Sequence, residues 1–222
     1  MIKKVYSLIR RYYKKLFPEY KKEQFGSIGP HCILGSNSRL VPSNIYMEDY
    51  SIIQGNNNFI SFKGRLFIKK YSVISSGCII VPSNHVPAVG IPFYGLTLSH
   101  IGDEDNDIII EEDVWIGAGC ILLPHCKIGR GCIVGAGSIV TKSIPPYSVA
   151  LGCPAKVVAV KFSLEDAIRH EEMIYNKSER YSRDYLERLY QQEYNNLSII
   201  ANHSLSKEDY EAYNSFVKKY MA

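Results

Sequence analysis

The sequence predicts an all-β solenoid, on three observations. Apolar residues recur at six-residue steps, unbroken from Ile110 through Ile116, Leu122, Ile128 and Val134 to Val140. A second series runs two positions ahead of it: Val114, Cys120, Cys126, Cys132, Ser138. Gly29, Gly35, Gly117, Gly129 and Gly135 each follow a repeat aliphatic, where a tight corner tolerates little side chain. A period of six matches neither the 3.6 of a helix nor the 2.0 of a plain strand. It is the mark of a parallel solenoid built from hexapeptides. Three hexapeptides make one triangular coil, and about five coils stacked at roughly 4.8 Å make a prism on the order of 24 Å tall.

The elements follow in order. Residues 1–25 alternate basic and apolar groups up to Pro18, the pattern of an amphipathic helix. Such a helix can cap the open end of a solenoid, which otherwise exposes strand edges. The lesser alternative is that it lies on an anionic membrane surface as a peripheral contact. The solenoid occupies 26–160. Ile28, Leu34 and Leu40 open it, Met47, Ile53 and Phe59 resume one residue out of step, and Ile68, Ile74 and Ile80 follow a further insertion. Thirty residues then separate Ile80 from Ile110, a multiple of six, as if one face were replaced by a long excursion over 81–107. A loop of that length in a compact solenoid is usually functional. Residues 161–222 form a helical tail, charged and Tyr-rich over 163–192 and 205–221 and broken near Asn195, Asn196, Asn202, His203 and Ser204.

Composition narrows the function classes. The chain has 222 residues, 46% apolar and 22% charged, as ordinary globular proteins do. Residues 1–22 hold eight basic groups against Glu19, so the net charge of +4 leaves the rest slightly acidic and unsuited to nucleic acid. No stretch approaches the roughly 20 apolar residues of a membrane span, and no signal peptide is visible, so a cytoplasmic protein is expected. Cys32, Cys78, Cys120, Cys126 and Cys132 all sit two places before a repeat aliphatic, a slot for a small apolar residue. They show no CxxC spacing for a metal, and disulfides are not expected in the cytosol.

The segment DVWIGAGCILLPHCKIGRGCIVGAGSIVTKSIPPYSVALGCPAK, Asp113–Lys156, resembles the C-terminal coils of hexapeptide-repeat O-acetyltransferases. The resemblance extends over 28–160. It points to the branch that acetylates sugars, surface polysaccharides and streptogramin antibiotics. It implies a left-handed parallel β-helix, a homotrimer with active sites between subunits, and acetyl-CoA as acyl donor, with no metal. The hand comes from the family alone, because the general preference for right-handed crossovers points the other way.

The resemblance also implies roles. His85, after Asn84 at the start of the excursion, stands where the family has its catalytic histidine. A neutral imidazole at that place can take the acceptor hydroxyl's proton as the oxygen attacks the thioester. Asp103, Glu104, Asp105 and Asp107 close the loop, and one of them, or a backbone carbonyl, could orient the ring. Gly117 and Ala118 supply the oxyanion amide, with Ala136 one coil on. Thr141, Lys142 and Lys156 stand near the coenzyme's phosphates. A further family basic position is Ala159 here, for which Lys161 could substitute. Asn84, His100 and Tyr94 are the acceptor-side candidates, although His100 could instead cap the loop and Tyr94 suits either stacking on a sugar face or holding the loop down. Trp115 suits either a wall or the core. His31 and His125 fall at exposed corners.

Rival readings are weaker. A γ-type carbonic anhydrase needs two His ligands at HxxxxH spacing, which is missing. A nucleotide pyrophosphorylase or serine acetyltransferase needs a large domain ahead of the coils. A non-catalytic structural solenoid needs neither the Asn-His excursion nor the VTKSIPP end. The expected function is O-acetyl transfer to a sugar or surface-polysaccharide precursor, the alternative acceptor being a streptogramin-type antibiotic.

Overall fold

A computed structural model describes residues 20–61, 63–201 and 205–220. The expected N-terminal helix falls mostly outside those residues. The solenoid is present. Short strands two to four residues long stack in parallel into three sheets. The first face runs Ser27–Ile28, Ile45–Met47, Leu66–Ile68, Ile108–Ile110 and Lys127–Ile128. The second runs Ile33–Leu34, Ile52–Ile53, Val73–Ile74, Trp115–Ile116, Ile133–Val134 and Ser148–Leu151. The third runs Asn58–Phe59, Ile79–Ile80, Ile121–Leu122 and Ile139–Val140.

Register explains the period. Ile110 pairs with Ile128, Ile116 with Val134 and Leu122 with Val140, each 18 residues on. Equivalent residues therefore stack, and every face-ending aliphatic from Met47 to Val140 points inward and is buried. The residue two places earlier also points inward. Cys78 Sγ there donates to Gly117 O at 3.3 Å and Cys120 Sγ to Gly135 O at 3.2 Å. Cys32, Cys126 and Cys132 likewise reach carbonyls of the following coil. These buried thiols thus serve as small core residues with a weak donor, and all are unbridged.

Corners obey two different constraints. The glycine directly after a face is there for space: a Cβ on Gly117 would come within 2.6 Å of Ala136 N, and one on Gly129 within 2.5 Å of Pro146 N. Two residues further on the backbone turns left-handed, at Gly119 and Gly137 but also at Tyr50, Tyr71 and Asp113.

The excursion replaces no face. Ile68 pairs with Ile110, Ile74 with Ile116 and Ile80 with Leu122, each 42 residues apart, so 24 residues are added to an otherwise complete coil. They leave at the corner between the third and first faces, where no ladder is interrupted. Thirty is one ordinary step plus this insertion, which the sequence spacing alone reads as a lost face.

At the far end Ser148–Leu151 turns back antiparallel as Lys156–Val160, and Ser198–Ile199 adds a parallel edge. The tail holds three helices, Leu164–Ile174, Arg183–Glu193 and Lys207–Tyr220, where the sequence suggests two stretches. The break at 175–182 has a cause. Tyr175 and Tyr181 turn to sandwich the Arg130 guanidinium, 4.1 and 4.3 Å from their ring centres. Arg130 Nη1 donates to Glu171 at 2.8 Å and Nε to Glu112 at 3.1 Å, while Tyr147 and Tyr181 hydroxyls donate to Glu171 and Glu111. No helix among the described residues is long and apolar enough to cross a membrane.

Candidate active site

The excursion folds onto itself by sorting its acids. Ser83–Asn84 pairs antiparallel with Glu104–Asp105. Asp105 Oδ1 accepts from Ser83 Oγ at 2.6 Å and from the Lys63 and Gly64 amides. Asp107 takes Arg65 through two guanidinium bonds of 3.0 and 2.7 Å. Glu104 points outward, 3.9 Å from His125. Between the arms, the helix Phe93–Ser99 is pinned by Leu96, the buried residue of that helix.

Asp103 is left, and it faces two imidazoles. Its Oδ1 lies 2.6 Å from His85 Nδ1 and its Oδ2 2.8 Å from His100 Nδ1. The carboxylate is 6% exposed, whereas each ring is about a third exposed. Hydrogen bonds from His100 and His85 hold the Asp103 carboxyl below the usual carboxylate range, so it is ionised near neutrality. An ionised carboxylate only accepts, so both Nδ1 atoms carry the proton. In the neutral His85 ring the lone pair is then on Nε2, the arrangement a general base needs. The rings lie 5.7 Å apart and line a cleft of about 340 Å³ with Ser61, Ser83 and Asn84.

Other expected residues lie elsewhere. Gly117, Ala118 and Ala136 are at the corner between the second and third faces, one corner away from His85. Ala118 and Ala136 are exposed, and among the described residues neither amide N–H has a backbone acceptor, although those of Gly117, Gly119, Gly135 and Gly137 all do. Thr141 and Lys142 are exposed beyond the third face, and Lys156 is exposed on the antiparallel return. Tyr94 is 80% exposed and does not line the cleft. Lys161 is taken by Asp113 at 2.7 Å, which removes it as a phosphate ligand. Trp115 is wall: it points outward and donates its indole N–H to Ser75 Oγ.

Sequence reasoning named Asp103 only as one of four acids. What distinguishes it is its place three residues after His100 and directly after Gly102. The tail anchor Arg130 was not foreseen, and no local signal marks it.

Residues 107–142 match the family profile described as bacterial transferase hexapeptide (six repeats). The chain is 31% identical over 138 residues to the galactoside O-acetyltransferase of Escherichia coli (strain K12), covering 62% of this chain and 64% of that protein. It resembles the solved maltose O-acetyltransferase from Clostridium difficile 630 at 27% identity and a TM-score of 0.57, covering 71% of this chain and 84% of that one. A galactoside acetyltransferase solved in complex with coenzyme A is 25% identical, with a TM-score of 0.51 over 72% of this chain and 74% of that one. The chain spans from about a quarter to just under two thirds of the curated relatives it matches first. The fold it shares with the solved structures is the left-handed β-helix.

Proposed function

We propose that this hexapeptide-built solenoid, with the profile match over residues 107–142, is an acetyl-CoA-dependent O-acetyltransferase acting on a hydroxyl of a sugar or surface-polysaccharide precursor. The observation that carries the proposal is His85 Nδ1 on Asp103 at 2.6 Å in an open cleft. The names of the relatives, galactoside and maltose O-acetyltransferases, support the reaction and the acceptor class. The coenzyme A held by the solved galactoside enzyme supports the donor.

In this reading His85 Nε2 takes the proton of the acceptor hydroxyl as its oxygen attacks the thioester carbon. The charge that develops on the carbonyl oxygen meets the unpaired N–H of Ala118, beside Gly117, which leaves room for nothing larger than hydrogen. The C–S bond breaks, and the imidazolium returns the proton to the departing thiolate, leaving coenzyme A and the acetyl ester. Ala136 continues the same groove for the pantetheine arm. Thr141, Lys142 and Lys156, all exposed toward the far end, meet the phosphates. Asn84 faces the acceptor, and Tyr94 reaches it only by a neighbouring subunit or a loop closure.

Base and oxyanion donors stand at different corners of one prism. A complete site therefore takes His85 from one copy and the Ala118–Ala136 corner from another, in a homotrimer. The outward residues Ile33, Ile52, Val73, Trp115 and Ile133 give the second face an uncovered apolar strip for such packing. Residues 26–160, in about five coils with the loop 81–107, form the acyltransferase domain. Residues 161–222 form the helical tail at its end, and the cap or membrane role expected of residues 1–25 falls mostly outside the described residues.

The test is release of free thiol from acetyl-CoA with sugars, nucleotide sugars and streptogramins as acceptors. Turnover with a saccharide supports the reading. Turnover with streptogramins alone replaces the acceptor class, and no turnover with any acceptor over a broad panel removes the reading.

A further inference from the structure

His100 sits at the end of the loop helix. It closes the helix Phe93–Ser99 in the left-handed region, at φ 51° and ψ 28°, with its N–H on Leu96 O. Glycine or asparagine is the usual occupant of that position, because a Cβ there crowds the backbone. The other two left-handed residues of the excursion, Gly90 and Gly102, are glycine. Tyr50, Tyr71, Asp113 and His125 adopt the same left-handed φ elsewhere in the chain, so the cap by itself assigns no role, and the role comes from what the ring touches. From this cap the ring Nδ1 meets Asp103 Oδ2, three residues on, at 2.8 Å.

Asp103 needs such a partner. A carboxylate bound through one oxygen still rotates about its own axis and swings between rotamers. With His85 on Oδ1 and His100 on Oδ2, both the plane and the rotamer are fixed, and the side chain is covered.

We propose that His100 is a positioning residue: by occupying Oδ2 of Asp103 from the left-handed cap of the loop helix, it aims Oδ1 at His85 Nδ1. This inference rests on the reading of His85 as general base and adds a second imidazole whose work is done through the carboxylate, not on the acceptor.

Three variants test it in the full chain. His100→Gly restores the residue the cap favours while deleting the donor. Its kcat is expected to fall about tenfold or more, with KM for acetyl-CoA and for acceptor unchanged and thermal stability kept. His100→Asn also suits a left-handed cap, and its amide N–H reaches the same oxygen, so it is expected to recover most of the lost kcat. A His100→Gly enzyme with parental kcat overturns the proposal, as does a loss confined to acceptor KM or a His100→Asn enzyme no better than the glycine variant. His85→Ala separates the two readings: full activity in that variant removes the base itself, whereas its loss alongside an unaffected His100→Gly removes only the role of His100.

Discussion

Asp103→Asn isolates the charge that His85 leans on. The amide has nearly the shape of the carboxylate but only one acceptor atom. Two Nδ1–H donors, at 2.6 and 2.8 Å, then compete for one oxygen, and the ring facing the new NH₂ group is pushed to the opposite tautomer. If that ring is His85, its lone pair leaves Nε2 and the base is lost. If it is His100, His85 keeps its tautomer but gives up a charge-assisted bond as the imidazolium forms. A hydrogen bond to a charged group contributes about 1.5–3 kcal/mol, so the loss amounts to roughly 10- to 150-fold in kcat. The rings are about a third exposed, so water replaces part of the lost interaction and the lower half of that range is expected. Thiol release at saturating acetyl-CoA measures it, with coenzyme binding followed separately by calorimetry. A kcat within about threefold of the parent, at equal folding, refutes the argument that the carboxylate polarises His85.

Other outcomes follow from the scaffold. Arg130→Met leaves Glu171, 1% exposed, without its cation, and breaking a buried pair this way costs about 3–5 kcal/mol; a melting temperature unchanged within error contradicts the role given to Arg130. Gly117→Ala sets a Cβ against Ala136 N and is expected to destabilise by about 1–3 kcal/mol, while Gly95→Ala, with open space in the loop helix, is expected to stabilise slightly; denaturant midpoints decide both. The tail's anchorage is expected to weaken in acid. Burial works to raise the carboxyls of Glu111 and Asp113, but Lys127 and Tyr181 on the first, and His170 and Lys161 on the second, hold both below their ordinary values. Folded pKa values below unfolded ones stabilise above pH ~4–4.5, and that contribution is lost as pH falls through the folded values. Tyrosine fluorescence and proteolysis of the tail are expected to change below that range and stay flat between pH 5 and 7.

Much of the fold was legible because one physical rule repeats. Every coil must bury the same two positions per face, so Ile110 through Val140 and the thiols beside them betray the period without any long-range knowledge. Gly117 and Gly129 could be read for the same reason: the next coil passes too close for a Cβ. His85 was singled out from its motif. Its partner was not, because Asp103, Glu104, Asp105 and Asp107 look alike along the chain. Only the pairing of Ser83–Asn84 with Glu104–Asp105 sends Asp105 to the Gly64 amide, Asp107 to Arg65 and Asp103 to the histidines. The length of the insertion misled for a related reason, since a multiple of six cannot tell a missing face from an added loop. The tail escaped because Arg130 meets Glu171 across 41 residues, a contact that no local pattern encodes.

The central claim is that one imidazole, His85, takes the acceptor's proton. Steady-state acetyl transfer by His85→Ala, with coenzyme A affinity measured on the same preparation, tests it most directly. The account predicts a loss of at least about 10²-fold in kcat at unchanged affinity. Turnover in that variant equal to the parent's would contradict it.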